Sequence, residues 1–321
     1  MASPDPGADL AVTPEQVVAR EAPIRTRAGL VALAAAVLTV VANIVQNATL
    51  ADRPAVNEID ALRDAAGENL GRPGLGTDQV LYLHDHAAGL LGGAVLQALV
   101  SLLTGAVLLV LLRAALDRAG RAPRVTRLLV LLGAGAAALG TLLLAVALTI
   151  NTADFASSSD HGTQAAHDAV HGGGLLVAGT MLGLLGLFAL AASFVMVALS
   201  AMRVGLLTRF VGVLGAIVGV LQILGPLSTG SFIVTAFWLA MVGMLLLGRW
   251  PSAMPPAWAA GEARPWPTQQ EIREAKERAR AERGGRGGAG PQDVPATASD
   301  GPTAAAPSPS ASARKKRKRR P

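Results

Sequence analysis

The sequence predicts an all-α, polytopic transmembrane helix bundle of about six spans, followed by a disordered C-terminal tail. Three observations predict it. Of 321 residues, 51% are apolar and only 16% charged. The charges are segregated: none falls between Arg127 and Asp154, between Asp168 and Arg203, or between Arg209 and Arg249. The uncharged runs are continuous rather than alternating, which suits helices and excludes the strands of a membrane barrel. About 20 helical residues cross a hydrocarbon core of roughly 30 Å, and a helix pairs its own backbone groups within one segment.

Residues 1–24 mix Pro, Asp, Glu and Ala without a sustained period and read as a loose N-terminal segment. The first apolar run, 28–51, exceeds a typical signal-peptide core and follows a polar leader, so it reads as a retained span near 28–49. A polar segment, 51–84, follows, with a helical stretch around Asn57–Ala66. Spans two, three and four are placed near 87–112, 128–150 and 173–201. The uncharged stretch from Phe210 to Gly248 is too long for one helix, and the Gly225-Pro226-Leu227-Ser228-Thr229-Gly230 turn divides it. Spans five and six are therefore expected near 209–225 and 231–248.

Arginine sets the expected orientation. The segment 113–127 carries Arg113, Arg118, Arg121, Arg124 and Arg127 against Asp117, and 202–209 carries Arg203 and Arg209 with no acid. The segment 51–86 has seven acidic residues against three arginines, and 151–172 has no Lys or Arg. The positive-inside rule puts the first pair in the cytoplasm, the second pair outside, and both termini inside. Odd spans open on Thr26-Arg27, Thr126-Arg127 and Thr208-Arg209, and even spans close on Arg113, Arg203 and Arg249. The chain thus reads as three helical hairpins, a pattern that arginine at inside-facing helix ends explains more simply than duplication. Trp250 suits an interfacial belt, with Trp258 and Trp266 following the last span. Gly89-x-x-x-Gly93, Gly215-x-x-x-Gly219 and the Gly133-Ala-Gly135 region are expected to pack helices within one bundle.

Beyond Pro255, Thr268-x-x-Glu271 forms a capping box for a solvated helix over 269–282, with Glu274 and Arg278 spaced to pair. Gly284-Gly285 is expected to stop it. Residues 284–313, rich in Gly, Pro, Ala, Ser and Thr, are expected to be disordered. The tail ends in Arg314-Lys315-Lys316-Arg317-Lys318-Arg319-Arg320. Such a run gains about 1 kcal/mol per basic residue near anionic lipid. The inner leaflet is therefore its expected partner, ahead of an acidic protein. Nucleic acid is disfavoured, because no aromatic residue lies beside the run for base stacking.

With no cysteine, disulfides, thiolate metal sites and cysteine nucleophiles are excluded. The span cores hold no ionisable residue, which argues against proton-coupled pumps and intramembrane hydrolysis. Their polar residues are uncharged. Asn43, Gln46 and Asn47 lie in span one, and Gln97, Ser101 and Thr104 in span two. Thr141, Thr180, Ser193, Gln222 and Thr235 are spread over the rest. Asn43, Gln46 and Asn47 cluster toward the outer end of span one and are expected mainly to bond between helices, with a polar pocket shared with the histidine rim as the alternative.

All five histidines lie in the segments expected outside. His84-Asp85-His86 sits at the mouth of span two, and His167 and His171 share one helical face near Asp168. His84, His86, His167, His171 and Asp168 are the candidate ligands for a transition metal, and a histidine pair of this kind can also hold haem iron. The plainer reading is that outer loops need polar residues and that Asp85 caps span two.

The stretch His171-Gly172-Gly173-Gly174-Leu175 and the connector Arg203-Val204-Gly205-Leu206-Leu207-Thr208-Arg209-Phe210-Val211-Gly212-Val213-Leu214-Gly215 resemble a bacterial family of six-span membrane proteins known only as a domain of unknown function. The resemblance covers residues 25–248 in topology and 171–219 in motif. It implies six spans, a histidine opening span four and a Gly-Leu-x-x-Arg-x-x-Gly connector between spans four and five. It supplies no activity, and the basic tail lies outside it. The Ala, Arg and Gly bias suggests a high-GC bacterium and so a plasma-membrane protein. The function expected is a non-enzymatic binding or accessory role. The alternatives are a metal- or haem-binding redox or transport component, and a small-solute carrier.

Overall fold

The computed structural model describes residues 13–55, 59, 62–63, 66–68, 74–119, 124–224, 230–251, 254–267 and 269–286. The chain divides into two units, Met1–Trp266 and Pro267–Pro321. The described residues contain helices and no strand.

In the first unit the order is α1 (Pro14–Leu50), α2 (Thr77–Asp85), α3 (Ala87–Ala119), α4 (Arg124–Ser157), α5 (Thr163–His171), α6 (Gly174–Arg203), α7 (Arg209–Leu224), α8 (Ser231–Leu246) and the short α9 (Pro256–Ala260). The helices α1, α3, α4 and α6 are long and apolar enough to cross a membrane. The remaining two expected spans, α7 and α8, are 16 residues each. That is roughly 24 Å of helix, short of a full hydrocarbon core.

Each long helix overshoots its expected span. The largest difference is at the N-terminus, where α1 begins at Pro14 rather than near residue 28. A capping box starts it: the Gln16 amide donates to Thr13 Oγ1, the Thr13 amide donates to Gln16 Oε1, and Pro14 occupies the first turn. Residues 14–24, expected to be loose, are helical, and Glu21 within them is held by a distant arginine described below. The helical stretch expected around Asn57–Ala66 falls largely outside the described residues.

The six large helices close a circuit. Neighbours in the order α1, α3, α4, α6, α7, α8 are in contact, α8 returns to α1, and α3 also touches α6 across the middle. The expected hairpins α1/α3, α4/α6 and α7/α8 are all formed. The core is densest toward the arginine-bearing end, where Trp238 is fully buried. Its indole N–H donates to Val211 O at 2.9 Å, and its ring meets Phe194 edge to face. Gly215 makes room for that ring, since a Cβ there would sit 2.7 Å from Trp238 Nε1.

The tightest helix pair is α4 with α6. Gly140 faces the Gly183 backbone, Gly186 faces the Ala137 backbone, and Gly133 would place a Cβ 2.6 Å from the Leu190 nitrogen. Small residues permit this approach where lipid gives no hydrophobic drive between helices. Of the glycines singled out by sequence, Gly89 packs on Thr49 and Gly219 on Phe194 and Val195, whereas Gly135 faces open space. Outward faces are apolar in heptad stripes, Leu30, Val37 and Ile44 on α1 and Leu132, Leu139 and Val146 on α4. An apolar exterior on this scale is the surface of a membrane protein.

In the second unit, α10 (Gln269–Arg286) is a polar helix with the expected Arg278–Glu274 pair at 3.5 Å. It does not stop at Gly284-Gly285 but runs to Arg286. Thr268, residues 287–313 and the basic run 314–320 lie outside the described residues.

Candidate functional site

Polar side chains from all six large helices line one cavity of about 520 Å³. From α1 come Thr39, Asn43 and Gln46, at i, i+4 and i+7, hence on one face. From α3 come Gln97, Ser101 and Thr104, with the same spacing. Thr141 on α4, Thr180 on α6, Gln222 on α7, and Ser231 and Thr235 on α8 complete the polar lining. Glycines Gly140, Gly179 and Gly183 supply part of the wall, so the close α4–α6 seam also borders the site.

Exposure grades along the cavity. On α1, Gln46 is exposed, Asn43 half-buried and Thr39 buried; on α3, Gln97 is half-buried while Ser101 and Thr104 are buried. Both series deepen in the same direction, away from the end of the bundle that carries the histidines. The cavity therefore opens toward the histidine end and closes toward the arginine end, at Ala137 and Leu190.

The bonds between helices expected of Asn43 and Asn47 are replaced by bonds within α1, where Asn43 donates to Thr39 O and Asn47 to Asn43 O. Thr39, Asn43, Ser101, Thr141, Thr180 and Thr235 each donate to the carbonyl four residues earlier on their own helix. Backbone carbonyls within the same turn satisfy the hydroxyl proton and leave the oxygen lone pairs facing the cavity. Two buried polar atoms of the lining have no partner among the described residues: Thr104 Oγ1 and the Gln222 amide oxygen. A buried group left unpaired costs about 1–3 kcal/mol, so the lining is built to be completed by something that hydrogen-bonds. Among the described residues, no Asp, Glu, Lys, Arg or His lines the cavity. The polar residues were visible in the sequence; their convergence was not, because it depends on the rotation of each helix about its axis.

The candidate metal residues are arranged differently. His84 lies on α2 and His86 just beyond it, stacked on Tyr82 with ring centroids 3.9 Å apart. The Tyr82 hydroxyl donates to Thr49 O and ties α2 to the end of α1. On α5, the rings of His167 and His171 stack at 4.6 Å, and Asp168 accepts from Gln164 at 2.9 Å and lies 3.6 Å from His167 Nδ1. The helices α2 and α5 do pack together, through Val80, Phe155, Ala166 and Ala169. His167 and His171 are exposed on the side of α5 opposite Ala166 and Ala169. Among the described residues, no three His, Cys, Asp or Glu side chains come together as a metal-holding group. His161, outside the candidate set, joins the cap instead: its carbonyl accepts from Thr77 Oγ1 and its ring meets Phe155 edge to face.

A second constellation at the arginine end was not visible in the sequence. Arg118 is fully buried and forms two 2.7 Å hydrogen bonds to the Glu21 carboxylate. It also donates to Ala114 O and Ala257 O and lies 5.2 Å from the centroid of the Trp258 ring. The segment around α9 straps across the α6–α7 connector. Trp258 Nε1 donates to Leu206 O, Trp266 Nε1 to Leu207 O, and the Arg264 amide to Val204 O. Gly205, at φ +81°, makes the tight turn, and a Cβ there would strike the Arg264 carbonyl. Compared with known proteins, the chain matches no family model, no curated protein and no solved structure.

Proposed function

We propose that this protein is a non-enzymatic membrane protein that binds a small, uncharged, hydrogen-bonding solute in the cavity between its six helices. One observation carries this. Uncharged polar side chains from every large helix face one cavity, and two buried polar atoms there lack partners among the described residues. The volume falls in the range of small-molecule sites, about 300–1,000 Å³. A charged ligand would find no counter-ion in the lining and would lose its hydration uncompensated. The Gln222 amide oxygen is an acceptor, so the solute carries at least one O–H or N–H donor. The exposure gradient supports entry from the histidine end. That end is the extracytoplasmic side if the arginine feet face the cytoplasm, as the positive-inside rule proposes for a bacterial plasma membrane.

The test is thermal unfolding of the purified full-length protein against neutral polyols, amides and sugars, with charged analogues alongside. A ligand at about 100 times its Kd adds roughly 2.7 kcal/mol of stability. The stabilisation should vanish in Thr104→Val and Gln222→Leu, while the ligand-free variants remain as stable as the parent or more so, because each loses an unpaired buried group. Stabilisation by charged solutes alone, or an unchanged response in both variants, would sink the proposal.

A further inference from the structure

A second cavity, of about 600 Å³, lies at the arginine end, with α3 as its floor, α1 and α4 as its walls, and Trp258 at its inner limit. Its upper lining is cationic. Arg20, Arg25, Arg113 and Arg127 face two carboxylates, Glu21 and Asp117. Glu21 is already occupied by Arg118. Four guanidinium groups therefore stand against one free carboxylate. Among the described residues, none of these four has an acidic partner. Arg25 lies 4.0 Å from Met254 Sδ and 5.8 Å from the centroid of the Trp258 ring, and its Nε is buried with no hydrogen bond among the described residues.

The rest of the lining is aliphatic. Ile24 and Leu131 are exposed at the walls, Leu109 and Val110 lie about one turn to the membrane side of Arg113, and Leu116 lies beyond it. Cations above an apolar trough that opens on the outward apolar face match one ligand chemistry, an anionic head joined to a hydrocarbon chain. Guanidinium forks suit phosphate oxygens, and the stems and leucines suit the chain. We propose that this cleft is a specific site for an anionic phospholipid, with the phosphate among Arg20, Arg25, Arg113 and Arg127 and an acyl chain along Leu109, Val110 and Leu131. It is distinct from the basic run 314–320, whose attraction to anionic surfaces needs no pocket.

The experiment titrates purified full-length protein in neutral detergent with dioctanoyl-phosphatidylglycerol, dioctanoyl-phosphatidylcholine and inorganic phosphate, reading bound lipid by native mass spectrometry and stability by thermal unfolding. Phosphatidylglycerol should bind and stabilise, with the other two far weaker. Arg113→Gln combined with Arg127→Gln should raise its half-saturating concentration at least roughly tenfold. Converting all of 314–320 to Gln should leave it unchanged. Asp117→Asn, which removes the free carboxylate, should tighten binding and decides the matter if the double variant does not fold. Equal binding of phosphatidylcholine, binding of inorganic phosphate alone to the same degree, loss with the tail variant, or no change in Asp117→Asn each overturns the proposal.

Discussion

Arg118 donates two hydrogen bonds of 2.7 Å to Glu21, and the two residues lie 97 positions apart in the chain. The arginine side chain is fully buried and the glutamate nearly so. This pair fixes the first turns of α1 to the end of α3, and through Trp258 to the strap that follows α8. It anchors residues 14–24, which are helical despite Pro23.

Removing one member strands a buried charge, which costs about 3–5 kcal/mol, whereas replacing both by apolar residues is far less harmful. Glu21→Leu should lower Tm sharply, and Glu21→Leu with Arg118→Leu should recover most of the loss. Thermal unfolding of the detergent-purified variants measures both. A double variant as unstable as the single would show that the pair is not the coupled unit described.

The α4–α6 seam makes opposite predictions for two glycines. At Gly186 an added methyl meets the Ala137 backbone, which cannot rotate away, so Gly186→Ala should destabilise by about 1–3 kcal/mol. At Gly135 nothing lies within 4 Å, so Gly135→Ala should be neutral or stabilise by up to about 1 kcal/mol through helix propensity. Comparing their unfolding midpoints in one detergent reads the seam directly.

Trp258 and Trp266 both cap carbonyls of the α6–α7 connector, but only Trp258 is buried. Trp258→Phe leaves the Leu206 carbonyl unpaired inside the protein and should cost about 1–3 kcal/mol. At Trp266, which is partly exposed, water can replace the lost donor, so Trp266→Phe should cost clearly less. The ranking of the two losses by thermal unfolding is the measurement.

Orientation is open to reporter fusions at Gly162, Ala122 and Ala311. The arginine distribution leads to extracytoplasmic activity at Gly162 and cytoplasmic activity at the other two. The reverse pattern would invert the side from which the polar cavity is entered.

The sequence by itself determined the helices: α3, α4, α6, α7 and α8 begin or end within a few residues of where uncharged runs, arginines and the Gly225-Pro226 break place them. A bilayer imposes length and apolarity locally, so each span is legible from its own residues. The helix over 14–24 starts on a local signal, the Thr13–Gln16 capping box, but Pro23 interrupts its pattern and its further anchor, Arg118, lies in another helix. Tertiary structure alone decided which faces meet. Thr39, Ser101 and Gln222 were three unrelated polar residues in three apolar runs until helix rotation turned them onto one cavity. His167 and His171 lie on the exposed face of α5 because Ala166 and Ala169 occupy its buried face. Helix rotation and neighbour choice follow from side-chain packing summed over the whole bundle, with Gly140 against Gly183 and Gly186 against Ala137 setting the closest pair, and no single run of residues contains that sum.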